Sequence, residues 1–422
     1  MTRVAIVTTV DRRSAIARAT LRTAEELAEV ADVTIFAEPT SQPLHSSLPL
    51  RTIDDGALRG HDHVVTVLGD SPFHVQTFHV ARRIPSVVIL HDVLMAHLVA
   101  WCMPLDDLRS ELGRWYGPDT ASNAIHSAGS MYPAWDSPNA LDTPLFESAI
   151  ESARGVIVHS RFAAEHVSAS TIVPVKMVPL AYEPPWGHSN GQPAIQGSML
   201  LTLGNVNVNK CHELVIEALA DLSVPTIRYV IAGSISDERR THLVKLAAAL
   251  RVGNQVEIIG SVGDDRAAQL LGEADACVNL RSPAIEGGSA SLVEQMAAGK
   301  SVIVFDHGCY ADAPDDCVIK LPVAATPQSL ADAIRAILVD PVRRAALGAR
   351  AEAHARLNHS FAGYAASLLD FLGNVDAAET HNRVARRVAA TTRAWGMPHG
   401  SPLAHRWASA IVQMTDAPSR DW

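Results

Sequence analysis

"ACVNLRSPAIEGGSASLVEQMAAGKSVIVFD", residues 276–306, holds two short apolar runs with an amphipathic stretch between them. ACVNL and SVIVFD have the length and apolar content of buried strands. SASLVEQMAA between them has helical spacing. Strand, helix, strand is the unit of a parallel sheet covered on both faces. The pattern continues in both directions. MLLTLGNV, IRYVIAG, QVEIIG and CVIKL read as further strands, and CHELVIEALADL, DERRTHLVKLAAALR, DRAAQLLGEA and PQSLADAIRAILVD as helices. Thr326-Pro327 and Asp340-Pro341 each place a capping side chain before a first-turn proline.

The alternation runs a second time through the N-terminal part. Arg3 to Val10, ADVTIFAE, HVVTVLG, SVVILHD, GVIVHS and PVKMVPL read as strands, with ARATLRTAEELAEV, FHVQTFHVARRI and SRFAAEHVSAS as helices. EPPWGHSNGQPAIQGS, 183–198, is rich in Pro, Gly, Ser and Asn and has no periodicity, so it reads as a linker. Beyond about 360 the chain reads helical, through FAGYAASLLDFLGN, ETHNRVARRVAATTRAW and HRWASAIVQMT. The predicted fold is α/β: two Rossmann-like, doubly wound domains, 1–185 and 186–360, facing a cleft, with C-terminal helices over 361–422. A length of 422 residues suits two domains. The tail is expected to cross back to the first domain, with Trp395, Trp407 and Trp422 as core residues or a homodimer contact.

Hydrophobic residues make up 48% of the chain, enough for two cores, and the net charge is −10. That balance argues against a nucleic-acid binder and against docking on an anionic membrane. MTRVAIVTTVDRR stops too soon for a secretory signal, and no apolar run approaches the ~20 residues of a spanning helix. Cys102, Cys211, Cys277, Cys309 and Cys317 are scattered, with no C-x-x-C pair. They read as reduced thiols of a cytoplasmic protein, not as a disulfide framework or zinc site.

Ligands of doubly wound sheets bind beyond the carboxyl ends of the strands. The opening stretch has its chemistry there. Gly287, Gly288 and Ser289 bring backbone N–H groups to a helix mouth that favours phosphate. Glu286 and Glu294 would stand ~12 Å apart along one continuous helix. One acid can then meet a sugar while the other accepts a ribose diol. Equally, Ser291-Leu292-Val293-Glu294 is a capping-box string, in which Glu294 only stabilises the helix start. In LTLGNVNVNKCHELVIEALA, 201–220, Gly204 ends a strand and Lys210 sits at the start of a helix. A lysine there opposes the dipole unless it neutralises an anion, or is simply solvated.

Together these stretches resemble GT-B glycosyltransferases of the large retaining family 4. Gly204 to Lys210, IRYVIAG, VEIIGSV, DACVNL, the E-x7-E pair and AAGKSVIVFD match in order and spacing across the second domain. The resemblance implies a nucleotide-sugar donor as substrate, no resident cofactor and no metal. It implies Glu286 on the donor sugar, Glu294 on the ribose, Lys210 on the diphosphate and backbone near Ser261 and Val262 on the base. Asn205 stands where the family often has arginine. Arg281 is a candidate replacement, with an ordinary strand-end ion pair as its alternative. In the first domain, VILHDVLMAHL puts His91 and Asp92 past a strand, and the resemblance implies that His91 faces the donor sugar. His97 reads as a helix-face residue. LGDSPFH, 68–74, offers Asp70 and His74 on the acceptor side, each equally a turn or packing residue. The first loop, around Ser14, lacks the glycine-rich turn of many relatives.

The expected activity is retaining transfer to a small soluble acceptor, such as a natural-product intermediate. His91 and Glu286 would position the sugar. Two other readings remain: a sugar-nucleotide epimerase of the same fold, and a degenerate, non-catalytic nucleotide-sugar-binding protein.

Overall fold

The computed structural model describes residues 1–126, 135, 137, 139–183, 198–222, 224, 226–377, 395, 406–407 and 410. The chain forms two compact units, Met1–Val178 with Tyr364–Trp422, and Pro179–Gly363. The linker segment 184–197 and most of the tail beyond 377 lie outside the described residues.

In the first unit the strands are β1 (Arg3–Val7), β2 (Asp32–Phe36), β3 (Leu50–Arg51), β4 (His63–Leu68), β5 (Ser86–Leu90), β6 (Ala153–Val158) and β7 (Val175–Met177). They form one sheet in the order β3-β2-β1-β4-β5-β6-β7. Every pairing in it is parallel. In the second unit β8 (Met199–Leu203), β9 (Arg228–Ala232), β10 (Val256–Gly260), β11 (Ala276–Val278), β12 (Ser301–Phe305) and β13 (Ile319–Leu321) lie in the order β10-β9-β8-β11-β12-β13, again all parallel. Each sheet reverses direction beside its first strand, giving a switch point between β1 and β4 and another between β8 and β11.

The second sheet shows why the sequence reads as continuous apolar runs. Leu200 packs on one face with Tyr229, Ile303 and Ile334, while its neighbour Leu201 packs on the other with Val230, Cys277 and Val304. Successive side chains point to opposite faces, and both faces are covered, so most strand positions are apolar. Thr326 and Asp340 cap their helices by accepting from Ser329 N at 3.2 Å and Arg343 N at 2.9 Å.

Two expected strands end early. The run from Arg3 pairs only as far as Val7, and ACVNL only as far as Val278. The residues beyond turn off the sheet edge as loops, and those loops carry the polar side chains described below. The helix Phe361–Ala377 carries the chain from the second unit to the first. There it lies on β6: a Cβ at Gly155 would stand 2.7 Å from Val375 Cγ2 and 2.9 Å from Phe371 Cζ. Lys176 to Asp370 at 2.6 Å and Arg154 to Asp376 at 2.8 Å pin its flanks. All five cysteines are free thiols.

Candidate functional site

In the second unit the candidates gather at the switch point. β8 ends at Leu203, and Gly204 follows with φ +93°, a conformation that suits glycine. A Cβ there would stand 2.7 Å from Lys210 Nζ. Lys210 does not open a helix, as its spacing suggested. It ends a single 3-10 turn, Val208–Lys210, and the helix His212–Leu222 starts two residues on. That turn folds the side chain back into the sheet edge. Lys210 is 7% exposed, and its ammonium donates to Leu203 O at 2.7 Å. Burial pushes Lys210 well below the ordinary lysine pKa, the Arg281 charge adds to this, and Glu286 opposes it.

The facing loop leaves β11. Asn279, fully buried, donates to Ser291 Oγ at 3.2 Å and Gln295 Oε1 at 3.1 Å, which ties the next helix to the strand end. Arg281 is 4% exposed. Its Nε donates to Glu286 Oε1 at 3.0 Å and its Nη1 to Leu280 O at 2.8 Å. The strand-end ion pair is therefore present. Ser282 N donates to Asn209 O at 2.8 Å, stitching this loop to the Lys210 loop. Lys210, Arg281 and Glu286 thus meet where β8 and β11 lie side by side.

The helix after them corrects two readings. It runs Ala290–Ala297, and its cap is Ser289, whose Oγ accepts from Leu292 N at 3.3 Å. Ser291 is already helical, so the Ser291–Glu294 capping box does not form. Glu294 is the fifth helical residue, past the reach of a cap. Glu286 precedes the helix altogether, so the ~12 Å spacing along one axis does not apply. Glu286 Oε2 is buried with no hydrogen-bond partner. Glu294 is half-buried, and its charge reaches the buried thiol of Cys277. Burial raises that thiol to about 12; Lys300 opposes the rise and Glu294 adds to it. Gly287 is buried and Gly288 half-buried between the two acids. Asn205 is exposed beside Gly204. Ser261 is exposed and Val262 half-buried past the end of β10, on the same edge of the sheet.

In the first unit the loops after β4 and β5 interlock. His91 N donates to Leu68 O at 2.9 Å, and Asp70 N to Asp92 Oδ2 at 2.8 Å. The Asp70 carboxylate accepts from Leu98 N at 2.7 Å and pairs with His97 Nδ1 at 2.6 Å. It therefore anchors the helix Ala96–Cys102. Ser14 caps the helix Ala15–Ala28 through Ala17 N at 3.2 Å. His74 is 0% exposed, with Nδ1 on Val67 O at 3.1 Å and Nε2 buried without a hydrogen-bond partner, so it packs in the core behind the loop. His91 is half-buried, its ring 4.5 Å from that of His159. Burial pushes His91 well below the usual histidine range, and the neighbouring His159 and His74 add to it.

Sequence reasoning read His97 as a helix-face residue, which it is, but missed its pairing with Asp70, and it missed His159. Asp70 and His97 are joined only by the fold. His159 did leave a signal, since it follows β6 just as His91 follows β5.

His74 yields a stability prediction. Burial lowers its pKa from 6.5 to about 4. Between these values the unfolded chain binds the proton and the folded one does not. Stability is therefore full above pH 6.5 and lost as pH falls through about 4, by about 3 kcal/mol. Urea unfolding of His74→Gln should show a shallower loss over that window. Identical slopes would rule His74 out as the cause.

Residues 193–354 match the family model "Glycosyl transferases group 1". No curated protein matches the sequence. Solved structures do. Sucrose-phosphate synthase from Thermosynechococcus elongatus is similar at TM-score 0.61 and 18% identity, over 90% of this chain and 100% of that one. HepE of Anabaena, solved with UDP and glucose, is similar at 0.59 and 12%, over 89% and 100%. A glycosyltransferase from Rickettsia africae is similar at 0.58 and 13%, over 89% and 98%. The second unit thus carries a group 1 glycosyltransferase domain, and the chain as a whole has the two-sheet α/β architecture of its GT-B neighbours.

Proposed function

We propose that the protein is a cytoplasmic family 4 enzyme that moves a sugar from a nucleoside-diphosphate sugar to a small soluble acceptor, with retention and without a bound metal. One observation carries the reading. Lys210 is a buried cation whose ammonium hydrogen-bonds, among the described residues, only to a carbonyl, at the carboxyl end of β8. A buried charge with no counter-ion is costly until an anion joins it. A diphosphate at this edge of the sheet is that anion.

The remaining groups then take consistent parts. Charge builds on the leaving diphosphate during transfer, and a preorganised cation there lowers the barrier. The unpartnered Oε2 of Glu286 is an acceptor for a sugar hydroxyl. His91, held neutral by burial, offers the sugar a hydrogen bond without a charge. In this reading Glu294, which does not cap the helix, accepts a ribose diol. The acceptor's proton leaves on the phosphate oxygen. No helix among the described residues is long and apolar enough to cross a membrane.

Thermal unfolding against UDP, GDP, dTDP and ADP tests this. HepE was solved with UDP, which makes UDP the first choice. A ligand at 100 times its Kd adds about 2.7 kcal/mol to the folded state. Glu294→Ala should lose most of the nucleotide-dependent rise, measured against the variant's own unliganded melting point. No rise with any nucleotide at millimolar concentration would sink the transferase reading and favour a degenerate protein. Turnover of the donor without acceptor would favour the epimerase.

A further inference from the structure

Two buried basic side chains in the second unit stand near one carboxylate: Arg281 pairs with Glu286 at 3.0 Å, and Lys210 feels the Glu286 charge without pairing with it. Lys210 and Arg281 are both nearly inaccessible, and Glu286 is the one acid in ion-pair contact with either among the described residues. With Lys210 protonated, two positive charges against one negative leave a surplus positive charge inside the sheet edge; with Lys210 neutral, the site is poised to take up a proton and an anion together. Arg281 adds to the depression of the Lys210 pKa, so the two cations feel each other. Holding like charges together away from water is unfavourable unless a further anion completes the set.

The guanidinium is unevenly used. Nε is on Glu286 and Nη1 on Leu280 O, both at hydrogen-bond distance. Nη2 has only a 3.5 Å contact to Ser291 Oγ. The Tyr310 ring, 5.8 Å from the guanidinium carbon, supports the group. The bond from Ser282 N to Asn209 O holds the Arg281 and Lys210 loops together. One nitrogen of a fixed, buried fork is therefore left for a ligand.

We infer that Arg281 is the second cation of the diphosphate site, binding phosphate oxygen through Nη2 opposite Lys210 while its Nε keeps Glu286 turned for the sugar. The inference rests on the transferase reading above and adds to it. The strand-end ion pair and the phosphate contact are not alternatives: one planar group makes both. The phosphate and the sugar-binding carboxylate are then coupled through a single side chain. The exposed Asn205, next to Gly204, needs no charge in this arrangement.

Inorganic pyrophosphate, which has neither base nor sugar, is the direct probe, with UDP and uridine beside it. Calorimetric titration of wild type and Arg281→Gln should show pyrophosphate and UDP weakened about 10- to 100-fold, the range for one charge-assisted contact. Uridine should bind within about twofold of wild type. Adding Asn205→Arg to Arg281→Gln should recover about tenfold, because it returns a guanidinium to the facing loop. If Arg281→Gln does not fold, Arg281→Lys keeps the buried charge, loses the fork, and should still weaken pyrophosphate about tenfold. Pyrophosphate affinity within about twofold of wild type in a folded variant overturns the inference and leaves Arg281 as a structural partner of Glu286. An equal loss for uridine overturns it too, as general distortion. Failure of the wild type itself to bind pyrophosphate or any nucleoside diphosphate overturns the transferase reading first.

Discussion

Lys210→Met should lower kcat/KM for sugar transfer by about 10²–10³-fold and leave the fold intact. The magnitude is that of removing one preorganised donor from a developing anion. The fold survives because methionine fills the volume of the aliphatic stem and removes a buried charge whose ammonium bonds to one carbonyl. The pH dependence gives a sharper test. Burial lowers the pKa of Lys210 in the free protein, Arg281 assisting, and an incoming diphosphate raises it again. Nucleotide binding should then take up a proton wherever the free protein has lost one. Affinity should fall as pH rises above the free-state pKa of Lys210. Titrations in two buffers of different ionisation enthalpy, between about pH 7.5 and 9, measure the uptake; this range lies above the phosphate's own titration near 6. Lys210→Met should abolish it. A wild-type enthalpy independent of buffer throughout that range would mean that Lys210 does not change protonation on binding, and would overturn this prediction.

The sequence named the residues of this candidate site, Arg281 included, but not which of them lie side by side. Strand and helix could be told apart because both faces of each sheet are covered, so apolar runs such as MLLTL and SVIVF stand out against amphipathic stretches. The E-x7-E pair and the glycine-led lysine loop are local patterns, and a local pattern survives in one dimension. Which strands adjoin is not local. Lys210 and Arg281 meet because β8 lies between β9 and β11, an order set by the switch point. Nothing within either stretch states that order. The helix start failed for a different reason. Ser289 and Ser291 are both competent caps, and only the backbone, extended at Ser289 and helical from Ala290, chooses between them. The same limit explains Asp70. A carboxylate in a turn after a strand looks available to a ligand until its partners, Leu98 N and His97, arrive from a later helix.

Gly233→Ala should destabilise the protein by about 3 kcal/mol or more and weaken nucleotide binding with it. Gly233 follows β9, next to the strand that carries the lysine loop. A Cβ there would stand 2.0 Å from Gly204 O and 2.4 Å from Gly204 C. Both atoms are backbone, so no rotamer change relieves the clash; one of the two strand ends must move. They are already fixed to each other, by Gly204 N to Ala232 O at 2.9 Å and Val206 N to Ser234 O at 2.8 Å. Moving the Gly204 end carries Leu203 O away from Lys210 Nζ and shifts the ammonium off the place where the proposed diphosphate site needs it. Stability and nucleotide affinity should therefore fall together. At Gly253 a Cβ would meet only Ala248 atoms, at 3.9 and 4.0 Å, so Gly253→Ala is the matched control and should stay within about 0.5 kcal/mol of wild type. Urea unfolding with and without UDP separates the two losses. If Gly233→Ala matches its control in stability, the two strand ends do not touch as described. If it loses stability but keeps wild-type UDP affinity, the lysine loop is positioned from some other contact, and the link from β9 to the phosphate site is broken.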